Sequence, residues 1–151
     1  MRRNMFEQHK FKSVVILLLM TGFLFACSKQ KEEEEEELED FELDVSYFSH
    51  LERNKLYIIR SYEEFVELFG SNVPPEEELE ICFHHCKSLL VVRGQSGYLV
   101  TGKSFNQIDE NKYEFNITLK QISATSEWEV AVVVHKLYEE DEVRLNIVYG
   151  K

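Results

Sequence analysis

Residues 112–151 read KYEFNITLKQISATSEWEVAVVVHKLYEEDEVRLNIVYGK. Tyr113, Phe115, Ile117 and Leu119 alternate with Glu114, Asn116, Thr118 and Lys120, the period-2 pattern of a strand with one dry face. Trp128, Val130, Val132 and Val134 alternate with Glu129, Ala131, Val133 and His135, which predicts a second strand buried mainly on its Trp side. Val143, Leu145, Ile147 and Tyr149 alternate with Arg144, Asn146 and Val148, a third. Asp109–Asn111 and Glu139–Glu142 are acidic turn segments. Three successive strands with short connections predict an antiparallel meander.

Upstream, Lys55–Arg60 (KLYIIR) is a short β-rich run that passes into Ser61-Tyr62-Glu63-Glu64, an S-x-x-E capping box. Tyr62, Phe65, Val66 and Phe69 then share one helical face, with Leu68 at its edge and Gly70 as the stop. Val73-Pro74-Pro75 and the following Glu76–Glu78 make a loop that cannot continue the helix. Ser88–Arg93 (SLLVVR) is apolar through its middle and reads as a central strand. Gly94 and Gly97 flank a turn before Tyr98–Thr101 (YLVT). The fold class predicted is α+β: a mostly antiparallel sheet with a C-terminal three-strand meander and one short N-terminal helix packed on it.

The start of the chain carries an address. Arg2, Arg3, Lys10 and Lys12 precede Val14–Ala26 (VVILLLMTGFLFA), an uncharged run of 13 residues. A spanning helix needs about 20, so the run is short for a membrane crossing and has the form of a secretory signal peptide. It closes on Leu24-Phe25-Ala26-Cys27. A small residue before Cys at the end of an apolar core resembles the bacterial lipobox. That resemblance implies cleavage before Cys27 and palmitate-type acylation of Cys27 on its sulfur and its new amine. The alternative is an uncleaved signal anchor. Two or more acyl chains suffice for stable anchoring, at about 0.8 kcal/mol per buried CH₂.

From 28 to 40 the chain has eight acids and two lysines, including six consecutive glutamates, Glu32–Glu37. Such a block self-repels and has almost nothing apolar to bury. It reads as a tether. Gln30 with Lys31, Glu32, Glu33 and Glu34 also resembles the Lys-then-acidic surface-export signal of Bacteroidota lipoproteins, which implies display at the cell surface. A plain spacer would leave the domain on the periplasmic face of the outer membrane. The resulting division is a lipoprotein signal peptide over 1–26, lipidated Cys and disordered acidic tether over 27–40, and one α+β domain over 41–151.

Charge narrows the partners. The chain carries 17 Lys+Arg against 28 Asp+Glu, net −11. Without the signal peptide it has 13 bases and 27 acids, net −14. Nucleic acid is excluded as a partner, because phosphate binding needs a cationic face.

CFHHC, residues 82–86, is the one chemically suggestive cluster. Cys82, His84, His85 and Cys86 are four candidate zinc ligands, but neighbouring side chains diverge and natural sites draw on two separate segments. His50 and His135 are distant candidates that no spacing links to it. Cys82 and Cys86 are also a candidate disulfide in an oxidising compartment. In an extended strand their Cα atoms lie about 13 Å apart, beyond reach; in a helical turn, about 6 Å. Free thiols are the third reading. G-x-S-x-G, H-E-x-x-H and P-loop patterns are absent, so no catalytic residues and no cofactor are assigned. Tyr57, Tyr98, Tyr113 and Trp128 could form a sugar-stacking platform, although Tyr113 and Trp128 sit in the apolar register of their strands.

The order of strand, capped helix SYEEFVELFG, Pro-containing loop, apolar strand SLLVVRG, glycine turn and three strands spans about residues 55–149. It resembles small lipoproteins of Bacteroidota with no assigned activity. More distantly it is similar to the C-terminal domain of the spirochaete protease-complex protein PrcB, a short helix packed on a mostly antiparallel sheet. The resemblance implies a non-enzymatic domain that works by contact with another protein. Such domains often enter the central strand through an Ile-Asp-Phe-like segment, where this chain has Ile81-Cys82-Phe83. Two functions are therefore expected as alternatives. One is a lipid-anchored envelope protein that binds or stabilises a protein partner. The other is a binder of a small ligand, glycan or metal, through Cys82–Cys86 or the Gly94–Gly102 segment.

Overall fold

Val130–Val134 is buried at every residue, and that continuous run sets the architecture. The structure is a computed structural model and describes residues 38–150 except 80, 84–86 and 124. The elements are β1 (Glu39–Asp40), α1 (Val45–Phe48), β2 (Leu56–Ile59), α2 (Tyr62–Phe69), a single 3₁₀ turn (Glu76–Glu78), β3 (Lys87–Ser96), β4 (Tyr98–Asp109), β5 (Lys112–Gln121), β6 (Glu127–His135) and β7 (Glu142–Gly150). They form two sheets, one ordered β1-β6-β3-β2 and one ordered β4-β5-β7. All pairs are antiparallel except β5 with β7, which is parallel.

The four-stranded sheet is the middle layer. One face of it carries Leu90, Val92, Trp128, Val130, Val132 and Val134, which pack against Phe105, Phe115, Ile117 and Leu119 of the other sheet. The opposite face carries Ile59, Leu89, Val91, Ala131 and Val133, which pack against Phe48, Phe65, Phe69 and Phe83. Helices thus cover one face and a second sheet covers the other. Among the described residues the chain is rich in strand with few helices, all short, consistent with an α+β or a mainly β class.

The meander does not form. β6 leaves β5 for the four-stranded sheet, and β7 returns to lie parallel beside β5. The reason lies in the side chains. β6 is apolar on both faces, and a strand of that kind is stable only where both faces are covered. β7 alternates, with Val143, Leu145 and Ile147 turned inward and half-buried. Its outward residues match β5: Glu142 lies opposite Lys112, Arg144 opposite Glu114 and Asn146 opposite Asn116. Opposite charges facing across a sheet favour that register. β6 is correspondingly dry on both sides, not mainly on the Trp128 side, since Ala131 is 7% and Val133 5% exposed.

The capped helix stands where the sequence places it. Ser61 Oγ accepts from the Glu64 amide at 3.2 Å. Glu64 Oε2 accepts from the Arg60 amide at 2.6 Å, one residue before the cap. Phe65 and Phe69 are its buried side, and Gly70 ends it at φ +89°. The glycine turn is narrower than expected. Gly97, at φ +89°, makes the β3–β4 turn, whereas Gly94 lies inside β3. A Cβ on Gly94 would sit 1.7 Å from Trp128 Cε2, so the indole lies flat against a strand with no side chain there. Gly94–Gly102, expected as a ligand loop, is a hairpin of two strands.

Candidate functional site

β2 ends the four-stranded sheet, and its second edge is bonded to no strand among the described residues. α2 follows it after two residues and lies beside it. The helix is fixed by Phe65 and Phe69 on the sheet and by the Ser61 cap. Tyr62 O–H donates to Pro74 O at 3.0 Å, and His50 Nε2 bonds Leu68 O at 3.0 Å. With its buried side committed, α2 presents Glu64, Glu67 and Leu68, at helical spacing i, i+3 and i+4, to the edge of β2. The result is an open cleft of ≈ 410 Å³ lined by these three residues and Tyr57–Arg60. Arg60 closes one end: its Nε donates to Tyr138 O at 3.3 Å, and its carbonyl accepts from Lys136 Nζ. A strand edge walled by a helix can take an extended peptide through main-chain hydrogen bonds.

A second recess, ≈ 500 Å³, lies at the β1 end and is lined by Glu39, Asp40, Phe41, Glu42, Pro74, Glu78, Leu79 and Val133. Asp40 pairs with Lys103 of β4, which ties the two sheets together on that side. Among the described residues no group of three His, Cys, Asp or Glu side chains is placed to hold a metal ion.

The densest polar cluster is structural. Arg93, inside β3, donates through Nη1 to the carbonyls of Phe48 at 2.9 Å, Ser49 at 2.5 Å and Leu51 at 3.2 Å, and through Nε to Glu127 Oε2 at 2.5 Å. Arg53 donates to the other oxygen of Glu127 at 2.9 Å. The Arg93 and Arg53 guanidiniums hold the Glu127 carboxyl below the usual carboxylate range. Two residues on, burial pushes the Glu129 carboxyl up, against the pull of Arg93. This cluster locks the α1 segment to the middle sheet. Sequence reading missed it, because an arginine ending a strand looks like a solvated terminus.

Of the residues singled out by chemistry, Cys82 is exposed, and its carbonyl accepts from the Lys87 amide at 3.2 Å. His84, His85 and Cys86 lie outside the described residues, as do Cys27, Lys31, Glu32, Glu33 and Glu34. His135 lies opposite Lys87 and packs on Phe105 and Tyr113, with ring centroids 5.5 and 5.0 Å away. His50 is on the helix side, edge-on to Phe69 at 6.1 Å. The aromatic platform does not assemble. Tyr113 and Trp128 are buried between the sheets, Tyr98 packs on Tyr149, and Tyr57 belongs to the helix-side core. No family model matches the chain, and no curated protein or solved structure matches it either.

Proposed function

We propose that the protein is a lipid-anchored envelope protein, held at the outer membrane by acyl chains on Cys27, that acts by binding a protein partner and performs no chemistry of its own. The observation that carries the reading is the free edge of β2 set against α2. An edge strand exposes unpaired main-chain groups and is normally short, charged or covered. Here the edge is short, and a cleft runs along it in place of a cover. The occupant that fits is an extended segment of a partner, adding one strand beside β2. Leu68 and the apolar part of Tyr57 favour an apolar residue in it. Glu64 and Glu67 favour a basic one.

Anchoring and display support the same reading. The tether separates the domain from the membrane, and the Lys31–Glu34 pattern suits surface export. Three variants of the full chain test the whole. Cys27→Ala abolishes lipidation, so the protein no longer partitions with membranes after signal cleavage. Serine at Glu32–Glu37 preserves length and solubility but leaves the domain protected from protease on intact cells. Leu68→Arg reduces recovery of cross-linked envelope partners far more than the modest fall in unfolding midpoint expected from its half-buried place against the helix-side core, and partner binding slows amide exchange at Tyr57–Ile59. Equal recovery with Leu68→Arg, or no protection of those amides, would overturn the cleft as the binding site.

A further inference from the structure

Of the four sheet ends, three are short or irregular. β1 is two residues long. β2 is four residues long and walled by α2. β4 is interrupted by register shifts between Val100 and Gly102 and between Gln107 and Asp109. β7 is different. Its nine residues, Glu142–Gly150, pair with Lys112–Lys120 of β5 in unbroken register, and its other edge is bonded to no strand among the described residues. It has no proline and no bulge, the usual protections of an edge. Its inward residues Val143, Leu145 and Ile147 remain half-buried, whereas Phe115, Ile117 and Leu119 of β5 are 0% exposed. The core is therefore open along this strand.

We propose that β7 is the two-fold interface of a homodimer, pairing antiparallel with β7 of a second copy about Asn146. Three observations select a second copy and this register. First, symmetry about Asn146 engages the whole strand, 142–150, which a shifted axis cannot do. Second, facing side chains agree. Leu145 meets the partner's Ile147 on the inward side and extends the dry core. Arg144 meets the partner's Val148 and Glu142 meets the partner's Gly150, so no like charges are opposed. An axis on Arg144 would set one guanidinium against the other.

Third, a polar row leads to the axis. Asn116 Nδ2 donates to Ser104 Oγ at 3.3 Å, and Asn146 Nδ2 donates to Asn116 Oδ1 at 2.8 Å. The row crosses all three strands on the wet face and stops at Asn146 on the free edge. The Asn146 amide retains an acceptor oxygen and a second N–H. One acceptor and one donor on a two-fold axis complement themselves. Pairing makes a six-stranded sheet with a continuous Ser–Asn–Asn–Asn–Asn–Ser row.

The test is cysteine cross-linking of the full chain in its membrane, in a Cys82→Ser, Cys86→Ser background whose own signal sets the baseline. Directly opposed Cα atoms lie about 4.5–5.5 Å apart, within disulfide reach. Asn146→Cys should therefore oxidise to a covalent dimer. In Val148→Cys the two thiols are displaced by four residues, about 13 Å, and the chain should stay monomeric. Co-expressed Arg144→Cys and Val148→Cys chains should cross-link to each other. Asn146→Lys opposes two ammonium groups and should weaken dimerisation by about tenfold or more in sedimentation of the detergent-solubilised chain. Failure of Asn146→Cys to cross-link, or equal cross-linking of Val148→Cys, overturns the proposal. So does a wild-type chain that sediments as a monomer, as the Asn146→Lys chain does.

Discussion

β6 and β7 are neighbours in the chain and both alternate apolar residues, Trp128, Val130, Val132 and Val134 in one and Val143, Leu145 and Ile147 in the other, yet they end in different sheets. What separates them is the second face. β6 continues its alternation with Ala131 and Val133, so a sheet holding it must be covered twice. β7 continues with Arg144, Asn146 and Val148, all exposed and two of them polar, and it lies over one core only. Alternation identifies a strand. The residues between the alternating ones decide which sheet will hold it and how deep it sits.

The largest expected effect tests that distinction directly. Val133→Asp places a carboxylate on the face of β6 that a meander would leave wet and that Phe65 and Phe83 in fact enclose. An unpaired buried charge costs about 4 kcal/mol, a large share of the stability of a domain this size. Val148→Asp makes the same chemical change on the wet face of β7, where the side chain is 46% exposed, and should alter stability by no more than about 0.5 kcal/mol. Urea unfolding of chains beginning at residue 28 measures both. Comparable losses would mean that β7 is as deeply placed as β6.

A finer comparison lies within one sheet. Ile117 and Ile147 face each other across β5 and β7, one fully buried and the other half-buried. Ile117→Ala should cost about 2–5 kcal/mol through lost burial and a cavity. Ile147→Ala, at the open edge, should cost about half as much when the protein is dilute. If β7 pairs with a second copy, the Ile147→Ala penalty grows with protein concentration and the Ile117→Ala penalty does not.

Much of this was legible. β2, α2 with its Ser61 cap, β3, β5, β6 and β7 stand where period and punctuation put them. The pairing was not legible, because it depends on which other segment covers a face. For β6 that segment is 48–83, distant in sequence. α1 escaped notice because a four-residue helix carries no period; Asp44, which accepts from the Ser46 amide at 2.8 Å, is its only local mark. β4 runs on to Asp109 through two register shifts that break its alternation and obscure Phe105 as a core residue. The β2–α2 cleft exists only because β2 is last in its sheet, and strand order is a property of the assembled chain.

The smallest effect concerns the end of β6 where its helix-side face turns from dry to wet. Glu127 and Glu129 lie there two residues apart, on the same side as Ala131 and Val133, and their environments act in opposite directions. The Arg93 and Arg53 hydrogen bonds hold Glu127 below the ordinary value of 4.5. A carboxyl depressed on folding contributes stability that is present above its unfolded pKa and lost as pH falls through the folded value. Glu127→Gln should therefore lower stability at neutral pH and flatten the loss on the acid side. It should also loosen the Arg93 clasp on the Phe48–Leu51 carbonyls. Glu129 has the opposite sign: burial raises its carboxyl, so its favourable contribution is present below 4.5 and is lost as pH rises through the raised value. Glu129→Gln should leave stability unchanged or slightly higher at pH 7, and should remove the gain the wild type makes in mild acid. Midpoints of urea unfolding from about pH 3 to pH 8 span both carboxylate windows. Curves that shift in the same direction for the two variants would mean that this end of β6 is uniformly wet, and that the boundary between its dry and wet segments lies further along the strand.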